Sequence, residues 1–142
     1  MRVIGFCGDN CSACPRYIAT KSGNEEKLKE AAEMWKRAGW RDANVSPHEM
    51  ICYGCASVEW CRYNSIRKCA LKKGIDNCGK CENYPCKEIT EVFKQTDYYK
   101  RACEKNCSKE DNELFLRAFF SKKGILDKIH QENFPDVNGR LS

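Results

Sequence analysis

The chain has 142 residues, a formal net charge of +5, 32% charged side chains and a mean hydropathy of -0.70. That length allows one domain with a modest core, and no apolar run approaches the length of a membrane span, which excludes an integral membrane protein. The opening has only the short run Val3-Ile4-Gly5-Phe6, too brief for a secretory core, so the expected location is cytoplasmic and the twelve cysteines are expected to meet a reducing environment as thiols.

In chain order, residues 1–20 form a cysteine-bearing opening that ends in Pro15-Arg16-Tyr17-Ile18-Ala19-Thr20. Leu28, Ala31, Ala32, Trp35 and Ala38 recur at helical spacing and predict a helix over 25–38, with Glu25 and Glu26 early, Lys36 and Arg37 late, and Gly39 as its stop. Ser46-Pro47-His48-Glu49 reads as a capping box opening a short turn before Cys52. Residues 52–86 hold seven of the twelve cysteines, punctuated by Gly54, Gly74, Gly79 and Pro85, and read as loops folded around metal with a short helix over 65–72. From Lys87 the pattern is helical again: Ile89, Val92 and Phe93 share a face, and a separate helix is expected over 97–106. Ser108 with Asp111 opens the apolar run 114–120, which Gly124 is expected to break before Ile125, Leu126 and Ile129; residues 134–142 read as irregular. The fold expected is mainly α, a small helical domain with cysteine-rich, metal-stabilised loops and few or no strands. Residues 1–142 read as a single domain, with 1–95 the metal-binding region and 96–142 the C-terminal helices.

Three Cys-x-x-Cys pairs occur, Cys11/Cys14, Cys52/Cys55 and Cys78/Cys81, where random placement of twelve cysteines gives about one. The spacing suits a tight turn that brings two thiolates onto one metal at about 2.3 Å each while backbone N–H groups donate to the sulfurs. One four-thiolate site pairs Cys11 and Cys14 with Cys52 and Cys55; a second takes Cys78, Cys81 and Cys86, completed by Cys69 or by Cys61, and Cys7 is a further candidate. Cys103 sits in a helical pattern and reads as core, although Cys107 four residues on shares its face. His48, in an exposed first turn, and His130, near a helix end, read as surface residues. Eight ionised ligands around two divalent ions would cancel most of the formal positive charge, so basicity is weak evidence for nucleic acid.

Zinc is the expected metal, with an iron–sulfur cluster as the alternative, since clusters also use four thiolates. The spacing Cys7-x3-Cys11-x2-Cys14 matches the cluster motif of radical S-adenosylmethionine enzymes, but nothing in this chain supplies the alternating strands and helices of their barrel.

The stretch Cys7-Gly8-Asp9-Asn10-Cys11-Ser12-Ala13-Cys14-Pro15-Arg16-Tyr17 resembles the opening of an uncharacterised cysteine-rich family of bacteria and archaea, known as a domain of unknown function. The similarity continues through Cys52-Tyr53-Gly54-Cys55 and 66–75, and closes with Asn77-Cys78-Gly79-Lys80-Cys81-Glu82-Asn83-Tyr84-Pro85-Cys86, so that it covers 5–95. It implies a metal-binding domain without an assigned reaction. The family often has a cysteine where this chain has Asn64, which opens the question of the second site's fourth ligand.

Three functions remain. The metals are structural and the surface serves as an interaction module for another protein; or a thiol outside the sites, with Cys7 the candidate, does redox chemistry or catalysis; or Arg62, Arg67, Lys68, Lys72, Lys73 and Lys80, with Tyr53, Trp60 and Tyr63, bind nucleic acid. No catalytic constellation accompanies Cys7, and Asp9 beside it opposes thiolate formation, so the first reading leads.

Overall fold

The computed structural model describes residues 3–54 and 63–135. Among them the chain is helical, with no strand beyond one isolated antiparallel bridge between Ile4 and Asn10. Six α-helices follow in order: α1 (Pro15–Ser22), α2 (Glu25–Arg37), α3 (Asn64–Lys73), α4 (Lys87–Asn106), α5 (Lys109–Ala118) and α6 (Lys122–Asn133). Short 3-10 turns occupy Cys11–Ala13, Pro47–Met50 and Cys78–Lys80. No helix among the described residues is long and apolar enough to cross a membrane.

Local signals explain most of these boundaries. The Asn24 side chain accepts the Glu26 N–H at 2.9 Å to start α2, and Ala31, Ala32 and Trp35 form its buried face. Helix α1 falls in the opening for which no helix was expected; Pro15 stands in its first turn, where its missing N–H costs nothing, and Gly23 closes it at φ 69°. The expected pair of helices from Lys87 is one continuous helix of 20 residues, because no glycine or proline interrupts 87–106. The expected break at Gly124 instead lies at 119–121, where the Ser121 hydroxyl donates to the Leu116 carbonyl at 2.8 Å; Gly124 is inside α6.

That break has a packing cause. Residues before it and after it belong to different cores. Phe115 packs edge-on against Trp35, with ring centroids 5.5 Å apart, in a core shared with Ala31, Ala32, Met50 and Ala118. Leu126 lies in the other core, with Phe6, Ile66, Ile89 and Val92. A straight helix could not deliver both side chains. Further ties cross the molecule: Arg37 donates to both oxygens of the buried Asp111 at 3.0 and 3.2 Å, and Arg16 reaches the carbonyls of Glu49, Met50 and Ile51.

At the head of α6, Lys122 is a buried cation, its side chain only 5% exposed, paired with Asp9 at 2.6 Å and donating to the Phe119 carbonyl. Burial alone would lower its pKa, but the charges of Asp9 and Cys7 outweigh it and hold the ammonium above the ordinary lysine value. Replacing Lys122 with Met strands the Asp9 carboxylate and should destabilise the protein by about 3 kcal/mol in urea unfolding, with part recovered by adding Asp9→Asn. Because the folded-state lysine value is raised, the pair's contribution is complete below the unfolded lysine value and is lost only as pH rises through the folded one. The gap between wild type and variant should therefore stay constant from about pH 6 to about pH 9 and shrink above it.

Candidate metal centre

Four cysteines line one hollow: Cys69, Cys78, Cys81 and Cys86, with Ile66, Ala70, Ile75 and Tyr84 forming its apolar walls. Each arrives from a different local device. Cys69 stands on α3, which Gly74 ends at φ 68°; the Ile75 N–H returns to the Ala70 carbonyl at 3.1 Å and sends the chain back toward the helix. The Cys78–Lys80 turn then closes with the Cys81 N–H on the Cys78 carbonyl at 3.1 Å, which sets these two cysteines on one side. Asn77, buried, accepts the Gly79 N–H at 2.9 Å and fixes the entry to that turn. Cys86 caps α4, its sulfur accepting the Ile89 N–H at 3.5 Å, so the positive end of a long helix dipole faces it.

The charge around the hollow is arranged for sulfur. Lys73, at the last turn of α3, points its ammonium at the Cys81 sulfur at 3.1 Å, and the thiols of Cys81, Cys69 and Cys86 raise its pKa. Cys78 is pushed up to about 12 by burial and then by Cys86, Cys69 and Cys81, with Lys73 opposing. Without a cation Cys78 keeps its proton; a bound cation would displace it. Four thiolates around one divalent ion carry a net charge of -2, of which Lys73 offsets one. As the side chains stand, no group of three or more His, Cys, Asp or Glu among the described residues closes on a single ion. The four sulfurs surround the hollow without meeting at its middle.

Helix α6 supports this turn from behind, a role the sequence pattern did not reveal. A Cβ added to Gly79 would stand 2.9 Å from the Ile129 Cγ2 and 3.0 Å from the Asn77 Oδ1. His130, expected at the surface, is half-buried: its Nδ1 lies 3.0 Å from the Gly79 carbonyl and its ring packs on Tyr84. Tyr84 donates to the Asp127 carboxylate at 2.6 Å. His48, by contrast, is exposed, with Glu25 3.5 Å away.

The N-terminal cysteines lie elsewhere. Cys7 is buried in the first core, and the neighbouring Phe6 carbonyl accepts the Cys78 N–H at 3.0 Å. Cys14 caps α1 inside the second core and is pushed up to about 11 by burial, which the N–H groups of Tyr17 and Arg16 oppose. Cys11, also buried, donates its N–H to the Val3 carbonyl at 2.8 Å. The Cys52 N–H donates to the Thr20 hydroxyl at 3.0 Å, and Thr20 lies six residues beyond Cys14, about 9 Å along the α1 axis. Cys55 and Cys61, with Trp60 and Arg62, fall outside the described residues. Cys103 and Cys107 join the second core beside Cys14's end of the molecule.

A family model described as Protein of unknown function (DUF3795) matches residues 3–91. No curated protein and no solved structure matches the chain. The matched region contains all four cysteines of the hollow, whereas the supporting helix α6 lies beyond it.

Gly79→Ala tests the support. The added methyl must push Ile129 or the turn aside, so a loss of about 1–3 kcal/mol is expected in thermal or urea unfolding, with partial recovery on adding Ile129→Ala.

Proposed function

The chain belongs to the family described as Protein of unknown function (DUF3795), and from that premise we propose that it is a metal-binding protein whose centre is held by Cys69, Cys78, Cys81 and Cys86. The observation that carries this reading is the convergence of four thiols from three separate segments on one apolar hollow, faced by a lysine ammonium and a helix N-terminus.

We assign the metal as zinc and its role as structural. The three ligand-bearing segments, α3, the Cys78–Lys80 turn and the cap of α4, all border the hollow, and an ion held there would tie them together. Structural zinc supplies on the order of 10–16 kcal/mol in small domains, enough to set the arrangement of such segments. For one ion the four sulfurs must rotate inward until they stand about 3.8 Å apart, as the tetrahedron of 2.3 Å zinc–sulfur bonds requires. With the metal internal, the outer surface is left to contact another macromolecule, and the role follows as an interaction module.

One observation favours a second reading. Four thiols line the hollow, and an iron–sulfur cluster would use the same four thiolates.

Anaerobic purification followed by metal analysis and an absorption spectrum separates these readings. Colourless protein with bound zinc, one equivalent of which is lost in Cys69→Ser and Cys86→Ser, is the expected result. Brown protein with iron and sulfide, bleached by the same substitutions, would establish the cluster instead. Metal content unchanged by all four single serine variants would remove this centre from the protein. Chelation of the loaded zinc protein should also lower its thermal midpoint by many degrees, since the ion's contribution exceeds that of any single side chain.

A further inference from the structure

The last turn of α4 brings two further cysteines together. Cys103 and Cys107 are four residues apart, and the Cys107 N–H donates to the Cys103 carbonyl at 2.8 Å, which keeps the turn helical to its end. Helical geometry then sets their Cα atoms about 6 Å apart, within the range of roughly 4.4–6.8 Å that a disulfide spans. Four residues apart, they stand on one face of the helix, and both pack in the second core.

Their surroundings divide the labour. Cys103 is 4% exposed and packs in the second core, while Cys107 is half-buried at the helix end. Burial pushes the Cys103 thiol up. Cys107, the more accessible sulfur, is the nucleophile. A metal is poorly served here. Asp111, whose charge acts on Cys103, has both oxygens engaged by Arg37, and among the described residues no three His, Cys, Asp or Glu side chains gather here as a metal site.

We propose that Cys103 and Cys107 form a reversible intrachain disulfide, a modification site separate from the metal centre, with a small-molecule disulfide such as oxidised glutathione as the oxidant. Cys107 attacks one sulfur of the oxidant, forming a mixed disulfide and releasing one thiol with its proton. Cys103 then attacks the Cys107 sulfur, gives up its proton and displaces the second thiol. The pair loses two electrons and two protons, and one small disulfide becomes two thiols. The bond ties the last turn of α4 together where the chain passes into Ser108, the cap of α5. That junction is tied in turn to α2 through Arg37 and Asp111, so the oxidation state at one helix end is transmitted to the second core.

Trypsin makes the test direct, because Lys105 lies between the two cysteines. Metal-loaded full-length protein is exposed to oxidised glutathione, capped with an alkylating reagent, digested and analysed by mass spectrometry. Expected is a single linked species joining residues 102–105 to 106–109, absent before oxidation and lost after reduction. Cys107→Ser should abolish it and slow glutathione addition at Cys103 by about tenfold or more, since the remaining thiol is buried. Cys103→Ala should leave glutathione trapped on Cys107. The proposal is overturned if both cysteines remain alkylatable while the oxidant is consumed elsewhere, or if Cys103 is found linked to a different cysteine such as Cys14.

Discussion

Helix α6 lies as close as it does to the rest of the protein because two turns present no Cβ to it. At Gly8, whose φ is 100°, a Cβ would meet the Leu126 side chain at 2.9 Å and the Lys122 carbonyl at 3.0 Å. At Gly79 it would meet Ile129 at 2.9 Å. Each glycine sits beside a cysteine, Cys7 in one case and Cys78 in the other, so the helix presses both cysteine-bearing turns against the first core. The backbone link from the Cys78 N–H to the Phe6 carbonyl joins those turns directly. The geometry of the hollow thus depends on a helix that supplies none of its sulfurs.

The chemistry of the hollow follows from the competition between burial and charge. Burial favours the thiol, and several thiols close together favour it further, as the upward shift at Cys78 records. Lys73 and the N-terminus of α4 work in the opposite direction and lower the cost of ionisation without abolishing it. On the proposed reading, a centre balanced in this way would take up a cation with release of protons, so its occupancy would depend on pH and on competing chelators. Lys73 is itself exposed and screened by water, so its effect is confined to the sulfur that it touches. The single ammonium matters because it stands against a sulfur.

The same balance separates the centre from the pair at the end of α4. There, a buried thiol stands beside a more accessible one, and the nearby carboxylate is held by arginine. Four sulfurs with a facing ammonium suit a metal; two sulfurs at helical spacing with unequal exposure suit oxidation and reduction. Cysteine content alone treats the two sets alike, and it is the surrounding groups that tell them apart.

Much of the local architecture was legible in the residues themselves. The capped helix α2, the short helix before Gly74, the Ser108 cap of α5 and the absence of sheet all follow from spacing and punctuation, since they depend on contacts within a turn or two. Spacing also pointed to Cys78, Cys81 and Cys86 as a group, because a tight turn and a helix cap hold neighbours in sequence together. It left Cys69 and Cys61 as alternatives, and only the return of the chain at Gly74 puts Cys69 beside the others. The burial of His130 and the bend at 119–121 were equally beyond local reading. Each arises from contacts between segments dozens of residues apart, where the deciding quantity is whether two surfaces fit. The sequence by itself determined which residues turn, cap and alternate; tertiary structure decided which turns meet, because close packing between distant segments has no signature in the spacing of either one.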